Sequence, residues 1–160
     1  MVTEPGSPKV HGLEHAAICV KNMDRSLSFY CSVLGLPKLD EKILRGKEAE
    51  ALSGKSGASV RLAILGNRFT GRIELMQFEP EGASEARKTE VTDIGRIVEV
   101  ALRVSGIDPL LEIIAQKGHP CVMGPMDIEM DNTGRARIAY IRDPDNVLVE
   151  LVEVIRGENS

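Results

Sequence analysis

Leu13-Glu14-His15-Ala16-Ala17-Ile18-Cys19-Val20, followed by Asn22 and by Met23-Asp24-Arg25-Ser26-Leu27-Ser28-Phe29-Tyr30-Cys31-Ser32-Val33-Leu34-Gly35, is the stretch that decides the fold. Its first part predicts a strand, and Asn22 is a suitable cap for a helix that follows. Leu27, Tyr30, Cys31 and Leu34 recur at helical spacing, and Gly35 supplies the stop. Extended segments are then expected over 36–45, 58–65 and 72–78, separated by turn residues such as Gly54, Gly57, Gly66, Asn67 and Gly71.

The same order returns further along. A strand is expected over 97–104 and a helix over 108–117 ended by Gly118, with extended segments near 119–123, 135–142 and 147–154. The last two are joined by the turn Asp143-Pro144-Asp145-Asn146. An offset of 84 carries Val20 to Val104, Asp24 to Asp108, Leu27 to Leu111 and His15 to Glu99. The chain therefore reads as a duplication. A single four-stranded curved sheet with one helix leaves its other face wet, so two such sheets facing each other are the natural solution.

The expected organisation is a short leader at 1–10, a first module at 11–80, a polar linker at 81–95, a second module at 96–155 and a tail at 156–160. The polar insert at 83–92 reads either as a flap or as plain linker. At 160 residues, with 42% hydrophobic and 28% charged side chains, the chain has the composition of a globular protein able to bury a core. Its apolar runs are far shorter than the roughly 20 residues that cross a bilayer. A net charge of −4, no Trp, two Tyr and three Phe argue against nucleic acid as a partner. Three cysteines without a CxxC pair suggest a reducing compartment, and the polar N-terminus shows no export signal, so a cytoplasmic location is expected.

Alternation along strands picks out four side chains. Val98, Val100, Leu102 and Val104 fill one face of the fifth strand, leaving Glu99, Ala101 and Arg103 on the other. The same phase groups His15, Ala17 and Cys19 in the first strand. Ile73-Glu74-Leu75 and Val149-Glu150-Leu151 each set a carboxylate between two large aliphatics. A single such glutamate is ordinarily the solvated face of a half-exposed strand. Two ligand-type pairs at matching places in two repeats point instead to a divalent-metal site of His15, Glu74, Glu99 and Glu150. One imidazole and three carboxylates suit a hard or borderline ion better than a structural zinc site. Arg103 could neutralise Glu99 or grip an anionic substrate, and Tyr140 could line the pocket mouth beside Arg142.

In Glu14-His15-Ala16-Ala17-Ile18-Cys19-Val20, in Arg25-Ser26-Leu27-Ser28-Phe29-Tyr30 leading into Val33-Leu34-Gly35-Leu36, in Ile73-Glu74-Leu75, and in Tyr140-Ile141-Arg142-Asp143-Pro144-Asp145-Asn146 running into Val149-Glu150-Leu151, the chain resembles the vicinal oxygen chelate (VOC) superfamily. That group includes glyoxalase I, methylmalonyl-CoA epimerase, bleomycin resistance proteins and extradiol dioxygenases. The resemblance implies an α+β fold of two βαβββ modules forming a cupped eight-stranded mixed sheet, commonly in a homodimer. It also implies a divalent metal ion (Ni, Zn, Co, Mn or Fe) held by His15, Glu74, Glu99 and Glu150. Glu99 departs from the histidine usual at that place.

The chemistry implied is that of a lyase or isomerase of glyoxalase-I or epimerase type, acting on a small oxygenated substrate. Its catalytic residues would be Glu150 and Glu74; from the residues themselves Arg103 and Tyr140 are the candidates for binding substrate, against the plainer readings of a surface charge pair and a packed tyrosine. A ring-cleaving dioxygenase is the first alternative, but such sites generally use two histidines. A metal-free drug-binding protein is the second, and three acids are a poor lining for an apolar ligand.

Overall fold

The structure is a computed structural model, and it describes residues 13–67, 71–80, 97, 99–130 and 134–155. The leader, linker, insert and tail expected from the sequence lie outside the described residues, as does Val98. The first module runs β1 (Ala16–Cys19), α1 (Met23–Leu27), β2 (Lys38–Arg45), α2 (Lys47–Ser53), β3 (Ser59–Asn67) and β4 (Gly71–Glu79). The second runs β5 (Glu99–Arg103), α3 (Ile107–Gln116), β6 (Met123–Met130), β7 (Gly134–Arg142) and β8 (Leu148–Ile155). The fold is α+β, and its strands form two mixed four-stranded sheets ordered β1-β4-β3-β2 and β5-β8-β7-β6. In each sheet the first and last strands of the module run parallel and the other pairs run antiparallel. No helix among the described residues is long and apolar enough to cross a membrane.

Asn22 caps α1 as its sequence position suggests, its side-chain oxygen accepting from Arg25 N at 2.9 Å. The helix then widens into a π-helical segment, Ser28–Val33, that buries Phe29 and Tyr30. Two segments differ from the sequence reading. Residues 47–53, rich in Ala, Glu and Lys, form α2 between Gly46 and Gly54 where only turns were expected. The strand expected near 119–123 instead occupies Met123–Met130. Pro125 disguises it: proline donates no ladder hydrogen bond, but β6 is an edge strand and its register shifts between Met123 and Met126 to accommodate the ring.

The duplication extends to how each helix is tied down. Gln77 on β4 accepts from Met23 N at 2.7 Å, and Glu153 on β8 accepts from Ile107 N at 3.0 Å. Each strand residue thus caps the helix N-terminus of its own module. Beside each cap an arginine links helix to sheet. Arg61 bridges Asp24 and Glu41, and Arg137 bridges Asp108 and Asp127. Asp24 and Asp108 are one of the pairs related by the repeat.

The principal core lies on the helix-covered faces of both sheets at once. Ile18, Val20, Ala63, Leu65, Ile73 and Leu75 of the first sheet share it with Ala139, Ile141, Val149 and Leu151 of the second. Met23, Phe29 and Tyr30 fill it from one module and Ile107, Leu111 and Ile114 from the other. Polar contacts lock the junction: Tyr30 donates to Asp143 Oδ2 at 3.0 Å, Lys21 N donates to Asp145 Oδ2 at 3.1 Å, and Arg25 reaches the Pro144 carbonyl. The opposite faces carry separate, smaller clusters, one around Val60 and Leu62 and one around Ile138 and Tyr140.

Candidate functional site

All four candidate ligands sit on those opposite faces. In β1 the side chains of Ile18 and Val20 are buried in the core, while Ala17 and Cys19 are exposed with His15 on the other side. In β4 Ile73 and Leu75 turn inward and Glu74 turns outward. Ala17 is the ladder partner of Glu74, so His15, two residues earlier on the same face, meets it diagonally. His15 Nε2 lies 3.4 Å from Glu74 Oε2, with side-chain exposures of 38% and 16%.

The second sheet repeats the arrangement. Ala101 is the ladder partner of Glu150, and Glu99 lies two residues before it on that face. In both modules, therefore, the glutamate of the last strand stands beside an alanine. That small neighbour leaves the carboxylate space, and the residue two places upstream leans over it. Crowding has an electrostatic consequence here. Burial pushes the Glu99 carboxyl up, the charge of Glu150 pushes it further, and a hydrogen bond from Tyr140 partly opposes both.

Tyr140 is where the site differs most from its sequence reading. It is the direct ladder partner of Glu150, and its hydroxyl donates to Glu150 Oε1 at 3.0 Å. Burial first, then the two carboxylates, push its phenol up to about 12. Tyr140 thus faces the acid pair, while Arg142 turns away to the Asn146 carbonyl at 2.8 Å. Arg103 does not neutralise Glu99. It is exposed on the Glu99 face, beside Val152, and has no ion-pair partner among the described residues.

The structure therefore brings His15 to Glu74 and Glu99 to Glu150, but on different sheets. Among the described residues, no three His, Cys, Asp or Glu side chains of one chain lie close enough together to hold a metal ion. The repeat-related positions are visible in sequence; the separation of the pairs is not.

Two modules of the order βαβββ, each closing its last strand against its first, carry these pairs, and a comparison of the chain with known families identifies that architecture. The profile of the Glyoxalase/Bleomycin resistance protein/Dioxygenase superfamily matches residues 12–151. The chain belongs to this superfamily. Among curated relatives it is 27% identical over 142 residues to a probable lactoylglutathione lyase of Synechocystis, covering 88% of this chain and 94% of the relative. A glyoxalase family protein of Bacillus cereus superposes with a TM-score of 0.77 at 24% identity, covering 94% of this chain and 98% of that one. The trypanothione-dependent glyoxalase I of Leishmania major superposes with a TM-score of 0.60 at 20% identity, over 90% and 87% of the two chains. These superpositions establish the superfamily fold.

Proposed function

We propose that this member of the superfamily is a divalent-metal-dependent lyase or isomerase of the glyoxalase-I or epimerase type, with its site assembled from two copies of the chain. The observation that carries this reading is the pairing itself. His15 with Glu74 and Glu99 with Glu150 occupy equivalent places on the two sheet faces turned away from the shared core, and each pair would supply half of a four-donor shell.

The donors suit such an ion. One imidazole and three carboxylates favour a hard or borderline divalent cation. The repulsion between Glu99 and Glu150 is the kind of crowding that a cation relieves. Within one chain the shell is incomplete, whereas module one of one copy set against module two of its partner would complete it. Bound there, the ion would act as a Lewis acid toward two vicinal substrate oxygens and acidify the adjoining carbon.

The chain's own residues supply the remaining steps. Glu74 and Glu150 would take a proton from that carbon on one carboxylate oxygen and return it to a neighbouring position. Tyr140 ties up Glu150 Oε1, so the proton is carried at Oε2. His15 Nε2, 3.4 Å from Glu74 Oε2, would hold the ion through its lone pair on the same face as the Glu74 carboxylate. Arg103 offers an unengaged guanidinium for an anionic group of the substrate. A ring-cleaving dioxygenase fits less well, because His15 is the sole imidazole in either pair.

Complementation tests the reading. A variant with His15→Ala and Glu74→Gln is made beside a second with Glu99→Gln and Glu150→Gln. Each alone should bind divalent metal poorly and fail to exchange solvent deuterium into α-hydroxyketone or acyl-thioester substrates. Co-expressed, they should recover metal binding and exchange through mixed dimers containing one intact site. Full metal binding by both variants would overturn the metal site, and absence of recovery would overturn its assembly across two copies.

A further inference from the structure

Among the described residues α2 has no counterpart in the second module, and it lies over the same face that carries Glu74. Ala49 of α2 is fully buried against Val60 and Leu62 of β3, with Met76 and Phe78 of β4 packed alongside. Arg72, Glu74, Met76 and Phe78 alternate onto one face of β4, so the ground covered by α2 continues the row that begins at the His15 and Glu74 pair. The helix does not close this end completely. A cavity of ≈ 180 Å³ remains, lined by Leu52, Ser53, Lys55, Ala58, Phe78 and Pro80.

The lining dictates what would enter. Leu52, Ala58, Phe78 and Pro80 are apolar, and the space, open to solvent on the side of half-exposed Leu52, is of the size that holds a six-membered ring, about 150 Å³. Ser53 offers little, because its hydroxyl is already bonded to the backbone of Lys55 in both directions. Lys55 has no ion-pair partner among the described residues, which leaves one unmatched positive charge on an otherwise apolar wall. The acid nearest in sequence, Glu50, makes no ion pair with it among the described residues and turns its Oε1 to Gly57 N at 2.8 Å and to Ser56 Oγ. An apolar ring or short branched chain bearing one anionic group matches both features.

We propose that this cavity at the C-terminal end of α2 is a binding subsite for an aryl or branched-alkyl carboxylate, its apolar part against Leu52, Ala58 and Phe78 and its carboxylate on Lys55. Glu74 and Phe78 are four strand positions apart, about 13 Å at the usual rise. As a subsite of the proposed reaction, which is the one respect in which it rests on that reading, it selects substrates whose apolar acid lies about that far from the reacting carbon. α2 is then a specificity element grafted onto one repeat.

The test uses the full chain, 4-fluorobenzoate as probe and ¹⁹F NMR as readout, with 4-fluorobenzyl alcohol as the neutral analogue. Wild type should bind the benzoate at millimolar concentration and the alcohol more weakly. Lys55→Ala should weaken the benzoate roughly fivefold and leave the alcohol unchanged, as expected for a partly exposed ion pair. Leu52→Ser should weaken both, roughly threefold, through lost apolar contact. Lys55 and half-exposed Leu52 lie at the surface, so both variants should fold, whereas filling the cavity at buried Ala58 risks the fold. No binding by wild type, or equal binding by all three proteins, overturns the subsite. His15→Ala separates the two proposals: it should lose divalent metal and keep benzoate binding, so either proposal can fail without the other.

Discussion

Tyr140 and Glu150 face each other directly across the β7–β8 ladder, joined by a 3.0 Å hydrogen bond in which the phenol donates to Oε1. The same phenol pulls the Glu99 carboxyl down and is itself pushed up by the Glu99 charge, so a single tyrosine is electrostatically tied to both acids of the second module. Tyr140→Phe should leave divalent-metal stoichiometry intact and weaken affinity roughly tenfold, the usual cost of losing a group that orients a ligand. Calorimetric titration of purified wild type and variant would show it, and equal affinities would remove Tyr140 from the site.

The same contact has a spectroscopic signature. Tyr140 is pushed up to about 12, and Tyr30 is pushed higher still by burial and by Asp143. Neither phenol should therefore ionise in the native protein near the ordinary value of about 10. Glu150→Gln should bring one phenol down toward that value in an ultraviolet pH titration. An unshifted curve would mean that burial and Glu99, and not Glu150, govern Tyr140.

Arg103→Gln should raise KM for an anionic substrate by about tenfold while leaving kcat and metal content near wild type, since it removes binding common to ground and transition states. Neutral substrates should not discriminate between the two proteins. A drop in kcat with KM unchanged would place Arg103 elsewhere in the mechanism.

Gln77 and Glu153 cap equivalent helices with different chemistry, and pH separates them. Replacing either with Ala should cost about 1 kcal/mol, typical of a lost helix cap. The backbone N–H groups of Ile107 and Gly106 hold the Glu153 carboxyl below its ordinary value. Its contribution is thus present above the unfolded glutamate value of about 4.3 and fades as pH falls through the lower folded value. Thermal unfolding should show the Glu153→Ala deficit shrinking in acid and the Gln77→Ala deficit staying constant.

At the module junction, Tyr30→Phe leaves the buried Asp143 Oδ2 without its donor and should cost roughly 1–3 kcal/mol at neutral pH. Burial pushes the Asp143 carboxyl up, while the backbone of Val147 and Asp145 and the Tyr30 hydroxyl pull it down. A raised folded value means that its favourable contribution is complete below about 3.9 and is lost as pH rises through the folded value. Removing Tyr30's hydroxyl raises that value again, so the deficit should be largest at neutral pH and shrink on acidification. Urea unfolding at several pH values would measure this.

Much of the candidate site was legible along the chain. Alternation assigned His15, Ala17 and Cys19 to one face and Ile18 and Val20 to the other, and the repeat paired His15 with Glu99 and Glu74 with Glu150. The Asn22 cap and the Asp143 turn were equally plain, because each is a local backbone requirement met by a local side chain. β6 was misplaced because Pro125 argues against a strand unless its edge position is known. α2 was missed beneath its flanking glycines, although the run Lys47-Glu48-Ala49-Glu50-Ala51-Leu52 has the composition of a helix.

What the sequence by itself determined is the duplicated α+β plan and the face on which each candidate side chain stands, since both follow from periodicities of a few residues. Only the tertiary structure decided that Tyr140 binds Glu150 and that Arg103 leaves Glu99 alone. It also decided that the C-terminal end of α2 borders a cavity on the Glu74 face and that the two ligand pairs lie on separate sheets. Those outcomes depend on register and on which buried faces meet. Here the helix-covered faces of both modules share one core, and their burial turns the two half-sites outward, away from each other's sheet.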